Sequence, residues 1–218
     1  TTLELQRVSD APFILNGRDL TLHEISIDGR ILDEADWPVV PEGLSFSDLP
    51  KNCVLRVRSE CHPQSNTSLD GLYLSGGMYC TQCEPEGFRR MAFFPDRPDV
   101  MTVFTVRIEA DKAFPQLLSN GNLVETGEVD ADRHYALWHD PHPKPSYLFA
   151  CVVGDLDLAA DSFTTASGRA VDLHIYVEKD NVSLTGHAMD SLKRSMKWDE
   201  DTYGCLLYTS PSPRDPSI

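Results

Sequence analysis

Positive charge is in short supply in this chain. Against 34 acidic residues stand 19 lysines and arginines, a net −15, and no stretch of the sequence gathers the basic residues into a cluster. That balance repels phosphate backbones and anionic lipid, so neither nucleic acid nor a membrane surface is an expected partner. Long apolar runs are missing as well. The longest, residues 147–153, falls far short of the roughly 18 residues a membrane-spanning helix requires. The chain opens at Thr1 with neither a charged segment nor an apolar one behind it, and no signal peptide is expected. Cysteine is sparse and scattered, at Cys53, Cys61, Cys80, Cys83, Cys151 and Cys205. It does not make the dense framework of a small secreted domain, and reduced thiols in a cytoplasmic protein fit better. Two glycosylation-type triplets, at Asn66 and Asn181, arise readily by chance and weigh little against that.

Helical spacing is scarce too. Only residues 188–200 carry it, with Met189, Leu192 and Met196 at i, i+3 and i+7. What replaces it is two-residue alternation. Residues 3–8, 20–27, 54–58, 103–110, 134–139 and 171–177 alternate apolar and polar side chains and read as half-buried strands, while 147–154 is apolar enough for burial on both faces. Asp28-Gly29 supplies a hairpin turn after the second run, and Asn120-Gly121, between the apolar arms of 117–128, predicts another. The proline-rich run from Asp140 to Pro145 reads as a rigid loop, with His139 and His142 structural rather than metal ligands. Strands recurring at roughly 8 to 12 residues indicate a sandwich, and 218 residues suffice for one sizeable core.

One stretch, residues 71–100, looks built for chemistry. Gly76, Gly77 and Gly87 with Pro85, Pro95 and Pro98 divide it into short extended pieces and turns. Between those breaks Gln82, Glu84, Glu86, Arg89 and Arg90 stand among Tyr79, Phe88, Phe93 and Phe94, a few polar groups on an apolar wall, as at the edge of a cleft. Its Cys80-x-x-Cys83 spacing suits half a zinc knuckle or a redox pair. No second Cys/His pair has matching spacing, however, and no βαβ pattern surrounds it, so strand or buried thiols are expected.

The last fourteen residues, 205–218, have no period and three prolines. As structure they read as a disordered linker. As sequence they look like a translated transposase sequencing adapter fused to a truncated reading frame, so that native sequence is expected to end near Gly204.

Cys80-Thr-Gln-Cys-Glu-Pro-Glu-Gly-Phe-Arg followed by Phe93-Phe-Pro-Asp-Arg-Pro-Asp-Val resembles the N-terminal domain of the bacterial aminopeptidase N family of zinc metallopeptidases. In the same order, so do Leu117-Leu-Ser-Asn-Gly-Asn, Asp140-Pro-His-Pro-Lys-Pro-Ser-Tyr-Leu-Phe-Ala, Phe163-Thr-Thr-Ala-Ser-Gly-Arg and Ser191-Leu-Lys-Arg-Ser-Met-Lys-Trp-Asp-Glu. The resemblance runs from about Asp10 to Gly204. It implies an all-β, saddle-like β-sandwich of mostly antiparallel strands, over residues 1–187. Residues 188–204 would then form a short C-terminal helix leading toward a catalytic domain absent from this chain.

Two residues take roles from the same resemblance. The family pattern puts at Glu84 a glutamate that helps hold the substrate's free α-ammonium, and at Gln82 a glutamine lining the pocket for the first side chain. The chemistry agrees, because a fixed carboxylate separates a chain terminus from a mid-chain amide by pairing with a charge only the terminus carries. The expected partners are peptides with a free N-terminus and the chain's own catalytic domain. Zinc is implied for the intact enzyme, but His-Glu-x-x-His and Gly-Ala-Met-Glu-Asn do not occur in this sequence. The fragment itself is therefore expected to hold no zinc and no catalytic residues, and to be inactive. The alternative is a free-standing β-sandwich binding module without catalysis.

Overall fold

The computed structural model of the chain describes residues 1–33, 35, 37 and 39–204. The 205–218 tail expected to be foreign lies outside them. The described residues pack as two compact units, one from Thr1 to Gly154 and one beginning at Asp155.

The first unit opens with β1 (Thr2–Gln6), β2 (Phe13–Asn16), β3 (Thr21–Ile27), β4 (Arg30–Ile31), β5 (Val39–Val40), β6 (Gly43–Phe46) and β7 (Asn52–Glu60). Two antiparallel sheets result, ordered β1-β7-β3-β4 and β2-β6-β5. The two-residue period of β7 sends Cys53, Leu55 and Val57 inward, where they meet Ile25 of β3, Leu15 of β2, and Leu44 and Phe46 of β6. The Asp28-Gly29 turn forms as the sequence predicts. Ile27 pairs with Arg30 across it, and both turn residues have positive φ, 50° and 85°, as a two-residue hairpin of primed type requires. Asp28 also reaches sideways, its carboxylate accepting the Val54 N–H at 2.8 Å.

There follow β8 (Gly71–Ser75), β9 (Met78–Gln82), β10 (Thr102–Asp111), β11 (Gln116–Ser119), β12 (Asn122–Glu128), β13 (Arg133–Lys144) and β14 (Cys151–Gly154). They form one sheet ordered β10-β13-β12 and another ordered β11-β14-β9-β8. The apolar run that ends in β14 has a strand on either side. Asn120-Gly121 does not make the predicted hairpin. β11 pairs with β14 and β12 with β13, so the dipeptide is a corner where the chain leaves one sheet for the next. Asn120 fixes the corner with its side chain, accepting from Ala150 N at 2.6 Å and donating to the Leu148 carbonyl at 3.2 Å.

The Asp140–Pro145 run is likewise no loop, for β13 continues through Lys144. Its prolines are tolerated because β12 pairs only as far as His139, and the ladder to β10 is interrupted between Asp140 and Lys144. Asp140 is buried and forms an ion pair with Lys144, whose own pKa burial lowers. Trp138 satisfies its indole N–H on the Leu117 carbonyl at 2.8 Å, beside a small cluster of Leu117, Ala136 and Val153.

The second unit is a two-stranded sheet, β15 (Leu156–Thr164) with β16 (Ala170–Glu178), paired residue for residue from Leu156↔Glu178 to Thr164↔Ala170. A helix, α1 (Gly186–Tyr203), follows; it is longer than its apolar spacing alone suggests, and Gly204 caps it in the left-handed region at φ 74°. Met189 is its buried residue. Glu200 accepts the Ala166 N–H at 2.9 Å, and Lys193 pairs with Asp161, holding that carboxyl below its usual range. The described residues are thus all-β, with antiparallel sheets and one C-terminal α-helix, as the sequence predicts. Among the described residues no helix is long and apolar enough to cross a membrane.

Candidate functional site

The β8–β9 hairpin turns at Gly76-Gly77 and brings Gly71 opposite Gln82 at its root. The next residue, Cys83, dives into the core at 3% exposure. Glu84, Pro85 and Glu86 come back to the surface as an exposed turn, with a cis peptide bond between Glu84 and Pro85. Gly87 N–H closes the turn on the Cys83 carbonyl at 2.8 Å. Only glycine fits there, because a Cβ would stand 2.1 Å from the Gln82 carbonyl oxygen and 2.4 Å from Asp70 Oδ1. Phe88 then plunges inward, its ring 4.8 Å from that of Phe94 and 5.1 Å from that of Phe149. Residues buried on both sides thus hold the exposed turn.

The structure brings the two expected ligand residues together. Gln82 Nε2 donates to the Glu84 carbonyl at 3.1 Å, and both residues are exposed. Glu86, the carboxylate two residues on, is paired with Arg89 Nη1 at 3.1 Å.

Beneath the turn lies a polar network that the sequence did not single out. Asp96, 3% exposed, accepts the Arg89 backbone N–H at 3.1 Å and Arg89 Nε at 3.0 Å. Arg89 Nη2 adds a bond to the Asp96 carbonyl at 2.8 Å, and the Ser146 hydroxyl donates to the other carboxylate oxygen. Asn16 Oδ1 accepts the Asp96 N–H at 3.0 Å. Arg90 pairs with Asp70 at 3.2 Å and with Asp19. Arg89 stands out in the sequence as a polar residue among aromatics, but nothing there ties it to Asp96 or Ser146. A cleft of about 290 Å³ opens on the Arg90 side, lined by Asp19, Cys61, His62, Ser65, Asn66 and Arg90 among others. Neither Gln82 nor Glu84 lines it.

Of the thiols, Cys53 and Cys83 are buried and Cys61, Cys80 and Cys151 half-buried. Burial, reinforced by the charges of Asp96 and Asp70, pushes the Cys83 pKa up to about 12, and burial alone takes Cys151 to about 11. Cys80 sits on β9 opposite Tyr73, whose phenol it raises chiefly by hydrogen bonding. Cys53, Cys61, Cys80, Cys83 and Cys151 are all free. Among the described residues no group of three or more His, Cys, Asp or Glu side chains comes together in a way that could hold a metal ion.

This antiparallel β architecture is that of a known domain class: residues 42–148 match the Peptidase M1 N-terminal domain. The chain belongs to the M1 aminopeptidase family and carries its N-terminal domain. It is 54% identical to aminopeptidase N of Caulobacter vibrioides over 193 residues, 88% of this chain and 22% of that protein. The aminopeptidase N of Escherichia coli is 50% identical over 199 residues, 90% of this chain and again 22% of the relative. Among solved structures, Legionella pneumophila aminopeptidase A in complex with aspartic acid superposes with a TM-score of 0.87 at 32% identity, covering 94% of this chain and 24% of that one. The chain therefore spans under a quarter of the length of these relatives.

Proposed function

We propose that this chain is the substrate-capping domain of a zinc aminopeptidase that removes N-terminal residues from peptides, with Glu84 holding the α-ammonium and Gln82 lining the pocket for the first side chain. The observation that carries the reading is the turn itself. Gln82 and Glu84 share a hydrogen bond at an exposed site, on a segment whose flanking residues Cys83, Gly87 and Phe88 are buried. A fixed carboxylate discriminates a charged terminus because it need not be ordered at the moment of binding. Zinc supplies Lewis-acid and water-activating chemistry in such enzymes, through three protein ligands and an open water position. That work falls to a catalytic domain following residues 188–204, and the chain alone is inactive. Residues 1–187 form the capping domain, 205–218 are foreign, and free thiols suit a cytoplasmic setting.

The test is kinetic, in the full-length enzyme encoded by the uninterrupted gene. A charge-assisted hydrogen bond is worth about 1.5–3 kcal/mol, and each 1.4 kcal/mol or so is a factor of ten. Glu84→Ala is expected to lower kcat/KM on an aminoacyl anilide by about ten- to a hundredfold, with Glu84→Gln falling between it and the parent. Glu86→Ala should cost far less. A wild-type Glu84→Ala beside a crippled Glu86→Ala would move the amine site to the other carboxylate.

A further inference from the structure

We infer that Arg89 is a positioning residue for the amine site, acting through the turn that carries Glu84; the inference rests on the reading of Glu84 above. Three arms of one guanidinium do three things. Nη1 reaches outward to Glu86 at 3.1 Å, Nε inward to the Asp96 carboxylate at 3.0 Å, and Nη2 to the Asp96 carbonyl at 2.8 Å. The outer partner is 60% exposed and the inner one 1% exposed at the side chain, with Arg89 itself at 12%. The side chain therefore spans the thickness of the turn, from its wet surface to a buried carboxylate.

That carboxylate is not itself adrift. Ser146 holds its second oxygen, and Asn16 fixes its backbone N–H, so the inner end of the fork is tied to β2 and to the connection after β13. The Arg89 carbonyl, in turn, accepts from Arg18 N at 2.9 Å. With the hydrogen bond from Gly87 to Cys83 closing the turn from behind, Glu84 sits between two anchored points, Cys83 and the Glu86–Arg89 pair. A planar fork can serve both carboxylates at once, whereas a lysine ammonium is a point charge on a flexible stem and cannot reproduce the spacing.

An arginine that merely stabilised the fold would act independently of Glu84. One that positions the turn would act only through it. The experiment is a double-mutant cycle in the full-length enzyme, pairing Arg89→Lys and Glu86→Gln each with Glu84→Ala, with kcat and KM on an aminoacyl anilide and the thermal midpoint of every variant. Arg89→Lys is expected to reduce kcat/KM about three- to tenfold and Glu86→Gln about two- to threefold, on the scale by which small misplacements cost rate. Both losses should vanish in the Glu84→Ala background, where there is no carboxylate left to position. Arg89→Lys and Glu86→Gln effects that persist undiminished beside Glu84→Ala would overturn the inference and leave the role of Glu84 standing. If Arg89→Lys does not fold, Glu86→Gln, which touches only the exposed arm, decides alone, and a silent or additive Glu86→Gln overturns the inference. A silent Glu84→Ala sinks the amine-site reading and this inference with it.

Discussion

Asn16 and Phe94 form a two-way backbone bridge: Asn16 N donates to the Phe94 carbonyl at 2.8 Å, and Phe94 N donates back to the Asn16 carbonyl at 3.1 Å. The same asparagine holds the Asp96 N–H with its side chain. Strand β2 thus serves as a fixed rail for the far end of the 71–100 stretch. The near end is fixed by the β8–β9 hairpin, and the turn bearing Glu84 lies between the two supports.

The closeness of that packing is measurable at Gly87. Its φ of −79° is ordinary for alanine, so the effect of Gly87→Ala is steric alone, a Cβ driven to 2.1 Å from the Gln82 carbonyl oxygen. Overpacking of this kind costs about 1–3 kcal/mol. Urea unfolding of the chain should show a lower midpoint with an unchanged slope, and the corresponding full-length variant should lose activity because Gln82 must move.

Asp96→Asn keeps the shape and removes the charge beneath Arg89. Breaking a buried pair by neutralising one partner costs about 3 kcal/mol at the lower end of the usual range, which applies because Arg89 keeps a partly wet edge and the amide oxygen can still accept. Denaturant titration would register the loss. An Asp96→Asn chain as stable as the parent would mean that the network contributes shape and not energy.

The Cys83 and Cys151 thiols set an alkaline limit on stability. Cys83 has a folded pKa of about 12 against an ordinary value of 9.0, and Cys151 one of about 11. Between those values the unfolded chain has released its thiol protons and the folded chain has not, so the folded state binds more protons and loses stability as pH rises. Stability should hold below about pH 9 and decline from there towards pH 12, with Cys83→Ala flattening the fall. At neutral pH both thiols should resist alkylation in the native chain and react on unfolding.

Asn120 offers the fourth test. Alanine there removes both the acceptor for Ala150 N and the donor to the Leu148 carbonyl, which leaves two backbone groups to find water and costs about 1–3 kcal/mol. Thermal denaturation of Asn120→Ala should show the drop, whereas Asn120→Asp, which keeps the acceptor, should recover part of it.

That corner also shows where the sequence stops being legible. Asp28-Gly29 and Asn120-Gly121 send the same local message, a chain reversal, and at each the backbone does turn. What the dipeptide cannot say is which strand each arm then pairs with. Ile27 meets Arg30 across the first, but Ser119 meets Cys151 and Asn122 meets His139 at the second. The prolines of 140–145 mislead for a related reason, since their cost depends on whether a neighbouring strand needs their missing N–H, and here none does. Alternation found β1, β3, β7, β10, β13 and β16 because it reports one face of one strand, a local quantity, whereas short or evenly exposed strands such as β2, β6 and β15 carry no such signal. The site divides in the same way. Gln82 and Glu84 could be picked out by resemblance to a motif, but the carboxylate under them is joined to Ser146 and Asn16 across distant parts of the chain, and no local pattern encodes such a meeting.

The aromatic cluster has a further consequence for how the molecule breathes. Phe88 and Phe94, both from the site stretch, cluster with Phe104 and Phe149, the ring centroids of contacting pairs standing 4.8 to 5.9 Å apart. Binding loops are usually drawn from the parts of a protein that open at little free-energy cost. This turn cannot open without pulling Phe88 from the core, so its local melting is coupled to that of the whole first unit. The proposed recognition surface is correspondingly a rigid one: it would select its ligand by fit rather than by adapting to it, and it would fail abruptly with the fold instead of loosening ahead of it.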